Sequence, residues 1–137
     1  MNGKKIDLLV RGAFLITMDS EKRIIPDAAL AVDGVTILKI GPTRQLDDLY
    51  APAKTIDAHG KFLFPGMVTT HTHLFQTLLK GLGRDKPLFE WLDSLVRRAY
   101  HLFDEQTIYY AALVGLIEAA RSGVTTVTDF QYCHPQP

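Results

Sequence analysis

The residues with the clearest capacity for chemistry are His71 and His73, separated by Thr72. In an extended strand, residues i and i+2 project from the same face, so both imidazoles would point the same way. Two neutral imidazoles on one rigid face can hold a zinc-class ion and leave its other positions open to further ligands and water. The spacing alone also admits a plainer reading, two polar residues closing a strand. The surroundings sharpen it: a Pro65-Gly66 turn, a short β-prone run Met67–His73, then a strand-to-helix loop opening at Leu74. In parallel α/β folds the carboxyl ends of strands carry the functional groups.

The elements around the pair read as follows. Ile6 to Met18 is rich in branched and aromatic residues, interrupted at Arg11-Gly12. Leu30–Val32 and Val35–Leu38 flank Asp33-Gly34, which predicts a hairpin with both central residues at positive φ. A short helix is expected near Gln45–Tyr50, and β-runs at Thr55–Asp57 and Lys61–Phe64. Beyond the histidines, Leu88, Leu92, Leu95, Val96 and Ala99 recur at helical spacing. Asp104 can cap a second helix, whose apolar face is expected through Ile108, Ala112, Leu116 and Ala119, widened by Leu113, Ile117 and Ala120. Gly123 supplies the stop, and Val124–Thr128 a second strand. Strand, helical crossover, strand implies parallel neighbours joined right-handedly.

Composition narrows the function classes. The 137 residues carry fifteen basic and fifteen acidic side chains. That balance argues against nucleic acid as a partner, since such surfaces cluster Lys and Arg. No apolar run approaches the roughly 20 residues that cross a bilayer, so no membrane partner is expected and the default location is the cytoplasm. The single cysteine, Cys133, excludes an internal disulfide framework and a multi-cysteine zinc site.

Three linked motifs, Asp57-Ala58-His59-Gly60-Lys61, Phe64-Pro65-Gly66-Met67-Val68 and His71-Thr72-His73, resemble the start of the metal-dependent amidohydrolase superfamily. The continuation Leu74–Gly83, with Pro87–Leu92, is similar to its deaminase and triazine-hydrolase branch, the group of S-adenosylhomocysteine deaminase-like enzymes. Arg121-Ser122-Gly123-Val124-Thr125-Thr126 matches the same branch. The resemblance implies an α/β fold: residues 1–64 as the N-terminal half of a small β-sandwich, and residues 65–137 as the start of a (β/α)8 TIM barrel. A whole barrel takes about 250 residues, so about two βα units are expected here.

The resemblance further implies His71 and His73 as metal ligands, zinc first and iron as the alternative. The reaction class implied is hydrolytic deamination of a small heterocyclic substrate, a purine, pyrimidine, pterin or triazine-type ring. The family's later ligands, two more histidines and an aspartate, and its proton-shuttling glutamate have no counterpart in these residues. No catalytic residue beyond the metal pair is therefore assigned, and the chain is expected to be an N-terminal fragment, inactive alone and prone to aggregate. The alternative is a non-catalytic remnant, or a subunit completed by a second polypeptide; a homo-oligomer is left open. Dihydroorotase-like relatives place an Arg soon after the histidines, where Leu74-Phe75-Gln76 stands.

Gln76 and Trp91 are the candidate substrate-binding residues: the Gln76 amide could pair with ring nitrogens, and Trp91 could line the pocket mouth or simply pack its helix. Members acting on adenosine-type nucleosides carry a ribose-binding Glu after that Trp; Arg97–His101 offers none. Asp129 is expected to make a structural hydrogen bond, His134 to lie in a loop, His59 in a turn, and His101 between helices.

Overall fold

A computed structural model describes residues 3–132, so Cys133 and His134 lie outside the described residues. The chain divides into two compact units, Met1–Pro65 and Gly66–Pro137.

The first unit is a mixed sheet. Its strands are β1 (Lys4–Ile16), β2 (Ile24–Asp33), β3 (Thr36–Pro42), β4 (Tyr50–Asp57) and β5 (Phe62–Leu63), with helix α1 (Thr43–Leu49) between β3 and β4. The order is β3-β2-β1-β4, and β5 also pairs with β1. β1 runs antiparallel to β2 but parallel to β4 and β5. The Arg11-Gly12 interruption becomes a bulge within one long strand: the register slips by one between Val10 and Ala13. There β1 exchanges β4 for β5, and the turn Ala58–Lys61 bridges the exchange, with Ala58 N–H donating to Arg11 O (2.8 Å) and Phe14 N–H to Lys61 O (2.9 Å).

Gly12 makes that bulge possible. Its φ is +77°, its N–H donates to Thr43 Oγ1 at 3.1 Å, and the His59 ring occupies the space a Cβ would need. On one face Leu46 of α1 is fully buried with Ile6, Leu9, Ala29 and Ala31. The hairpin differs from the sequence expectation: its two-residue loop is Gly34-Val35, because Asp33 still pairs with Thr36. Only Gly34 of that loop has positive φ, the pattern of a Gly-first turn rather than a type I′ one. Its N–H donates to the Asp7 carboxylate at 2.7 Å.

The second unit has the expected strand–helix–strand order. β6 (Met67–Thr72) is parallel to β7 (Val124–Asp129). Between them come a 3-10 turn (Leu74–Leu79), then α2 (Leu88–Trp91), a π turn (Leu92–Val96), α3 (Arg97–Tyr100) and α4 (Glu105–Arg121). Asp104 caps α4 by accepting from Thr107 N–H at 2.8 Å. Phe75, Leu79, Val96 and Ala99 form a buried cluster.

The packed face of α4 follows the periodicity only in part: Ile108 packs against the Phe75 cluster and Ala112 and Ala119 are half-buried. Ala111 is fully buried, while Leu113, Leu116 and Ile117 are exposed. At Gly115 a Cβ would stand 2.6 Å from Thr77 Oγ1 and 2.9 Å from the Leu74 side chain. The 3-10 turn approaches the helix where side chains are smallest, so closeness of backbone, rather than apolar bulk, chose the face. No helix among the described residues is long and apolar enough to cross a membrane.

Candidate functional site

The pairing of β6 with β7 sets the site. Thr69 faces Val127 and Thr72 faces Asp129, so Thr70 and His71 together oppose the single residue Thr128. Such a bulge re-aims the side chains it carries. The strand then ends, and the Gln76 N–H donates to His73 O at 2.9 Å to open the 3-10 turn. His71 is exposed and His73 half-buried.

The two imidazoles converge. Nε2 of His71 and Nε2 of His73 are 3.3 Å apart, with the rings nearly perpendicular at 81°. Two nitrogens each about 2.0–2.1 Å from a tetrahedral zinc stand roughly 3.3–3.4 Å from each other. The spacing is thus that of two ligands on one ion. Nδ1 of His73 lies 2.8 Å from the carbonyl oxygen of Phe130. A carbonyl can only accept, so Nδ1 carries the proton and the Nε2 lone pair of the neutral ring is left available. Among the described residues no third His, Cys, Asp or Glu joins the pair.

Neighbouring side chains brace this end of β6. The Asp129 carboxylate accepts from Leu74 N–H at 2.9 Å, the structural bond expected of it. Phe130 N–H donates to Thr72 O at 2.9 Å, and its ring packs on both imidazoles, with centroids 5.2 Å from His71 and 5.9 Å from His73. Tyr132 meets His73 edge-on at 5.3 Å and accepts from Gln76 Nε2 at 2.8 Å. Phe130 and Tyr132 were missed in the sequence; alternate aromatics straight after a β-run ending in Asp129 are the signal that could have found them.

An open groove of about 860 Å³ runs along β6 and α4, from His71, His73 and Gln76 at one end to Val124 at the other. Gln76 therefore sits beside the histidines, whereas Trp91 is not among the groove's lining residues. Of the two readings open for Trp91, these residues show the packing one: it rests against the Phe75 cluster, with Gly83 so close that a Cβ there would lie 2.8 Å from the indole. His59 occupies the expected turn and approaches the Asp57 carboxylate, whose pKa is held low by the His59 backbone and ring. His101 is exposed, lies between α3 and α4 as expected, and contacts the Tyr100 ring.

Comparison with known proteins bears on the same residues. Against the 5-methylthioadenosine/S-adenosylhomocysteine deaminase of Nitratidesulfovibrio vulgaris the chain is 32% identical over 123 residues, 90% of this chain and 28% of that protein. The protein of the same name from Pyrococcus furiosus is 36% identical over 126 residues, 91% of this chain and 28% of that one. The chain thus spans under a third of the length of these curated relatives. Among solved structures, an adenosine deaminase from Xanthomonas campestris with bound zinc superposes with a TM-score of 0.87 at 27% identity, covering 95% of this chain and 30% of that one. A zinc complex of atrazine chlorohydrolase from Arthrobacter aurescens gives 0.76 at 27% identity, over 89% and 28%. The match to the family itself covers residues 62–137, β5 through the end of the chain and both histidines, and on that match this chain belongs to the amidohydrolase family.

Proposed function

We propose that this chain is the N-terminal part of a zinc-dependent hydrolase that removes an amino group from a small heterocyclic ring. The observation that carries the reading is the 3.3 Å separation of the two Nε2 atoms, with His73 turned by the Phe130 carbonyl to offer its lone pair. β6 and β7 are read as the first two strands of a (β/α)8 barrel, and the sheet of residues 1–64 as half of a β-sandwich.

The chemistry supplied by a zinc-class ion, when bound, is Lewis-acid activation of water for attack on an electron-poor carbon. His71 and His73 hold two of its positions. Phe130 packs its ring against both imidazoles. Gln76, at the same end of the groove, orients the ring through its amide. The deaminases named among the relatives support this substrate class, and the zinc in the structural neighbours supports the metal.

The test has two arms. Isothermal titration of the 137-residue chain with Zn2+ is expected to give weak one-to-one binding, because two imidazoles lack the rest of the shell; His71→Ala and His73→Ala are each expected to abolish it. Ammonia release by the whole encoded protein from 5-methylthioadenosine, adenosine, guanine and a triazine tests the reaction. Zinc binding indifferent to both substitutions would sink the reading.

A further inference from the structure

We infer that Tyr132 is a positioning residue for His73, a role that rests on the metal reading of the histidine pair only for its consequence, not for its geometry. Tyr132 follows β7, yet it touches three residues of the turn that follows β6. Its ring meets His73 edge-on, centroids 5.3 Å apart at 73°. It meets Phe75 the same way at 5.0 Å and 81°. Its hydroxyl accepts from Gln76 Nε2 at 2.8 Å.

The Nδ1–H···O bond to Phe130 restrains one corner of the His73 imidazole. A lone hydrogen bond at a partly wetted strand end leaves the ring able to tilt about that corner. Three aromatic neighbours remove this freedom, Phe75 at 6.4 Å, Phe130 at 5.9 Å and Tyr132, the nearest of them, at 5.3 Å. Tyr132 can act as a stop because it is itself held at both ends. Its body rests on Phe75, which is fully buried, and its tip is tied to the Gln76 amide. His71 has a Phe130 contact but none with Tyr132 among the described residues. The pair is therefore unequal: His73 is the fixed ligand and His71 the adjustable one. Since Tyr132 also holds Gln76, one side chain sets a ligand and the neighbouring amide together.

The test uses residues 1–137 without metal at pH 8, read by nitrogen–proton NMR of the histidine side chains. In the unaltered chain His73 is expected to show a single Nδ1–H tautomer with an observable ring proton. Tyr132→Ala is expected to lose that signal and to weaken Zn2+ binding by about tenfold or more, as removing an outer partner of a ligand does. Tyr132→Phe keeps the ring contacts, so the tautomer and an affinity within a few-fold of the original are expected to persist. Should Tyr132→Ala lose its fold, Tyr132→Leu fills the space against Phe75 and is expected to keep the backbone spectrum while losing the ring proton. An unchanged His73 signal in Tyr132→Ala or Tyr132→Leu, or its absence from the unaltered chain, overturns the inference. A fixed His73 that fails to bind Zn2+ overturns the metal reading instead and leaves the positioning role standing.

Discussion

The carbonyl oxygen of Phe130 lies 2.8 Å from Nδ1 of His73, across 57 residues of chain. The acceptor belongs to the backbone just past β7, so the tautomer of a side chain at the end of β6 depends on the two parallel strands being paired. Phe130→Ala keeps that acceptor and removes only the ring. It is expected to preserve the His73 Nδ1 proton while weakening Zn2+ binding, because both imidazoles lose a packing partner. Titration and histidine NMR on one sample check both halves.

Gly12 is expected to tolerate no side chain. At φ +77° an L-residue is strained by about 1–3 kcal/mol, and a Cβ would also stand 2.5 Å from the His59 ring. Gly12→Ala should lower stability in urea by at least that strain. Adding His59→Ala should recover the part due to collision and leave the part due to φ.

Gly115 is a collision without strain. An alanine there gains about 1 kcal/mol of helix propensity, but its Cβ would lie 2.6 Å from Thr77 Oγ1. Overpacking of this kind costs about 1–3 kcal/mol, so a net loss is expected. Thr77 Oγ1 also donates to Leu74 O at 2.7 Å, which limits how far it can retreat. Thermal melts of Gly115→Ala, Thr77→Ala and the double variant should show the two substitutions failing to add.

Asp104 links the helix to pH. Bonds from the Thr107 hydroxyl and then its backbone N–H hold the carboxyl below the usual carboxylate range. A carboxyl whose folded pKa is depressed stabilises the fold above its unfolded value of about 3.9. That contribution is lost as pH falls through the folded value. Helicity by circular dichroism should therefore drop as pH falls below the ordinary carboxylate value of about 3.9, and Asp104→Asn, a cap without a titrating group, should flatten that part of the curve.

The exposed side of α4 carries Leu113, Val114, Leu116 and Ile117. Contiguous apolar surface of this kind drives association. The 137-residue chain is expected to self-associate in sedimentation velocity, and Leu113→Gln with Ile117→Lys to shift it toward monomer.

Much of this molecule is local in origin and could be read from residue order. Pro65-Gly66, the branched run of β6, Asp104 before Glu105, and Gly123 after Arg121 each act within a few residues, through fixed dihedrals, caps and side-chain alternation. The same alternation placed His71 and His73 on one side. Family resemblance carried the rest of the sequence reading, and the match over residues 62–137 upheld the family itself.

What tertiary structure alone decided lies where distant segments meet. Periodicity found Ile108, Ala112 and Ala119 on the packed side of α4 but not its centre, because it registers apolar bulk, whereas the close approach to Thr77 selected Ala111 and Gly115, which have little. The packing of Trp91 against the Phe75 cluster and Gly83 likewise appears only once those segments meet. Phe130 and Tyr132 gained their roles only when β7 paired beside β6, because hydrogen bonds and ring contacts between strand ends depend on register, and no spacing along one segment encodes the register of another.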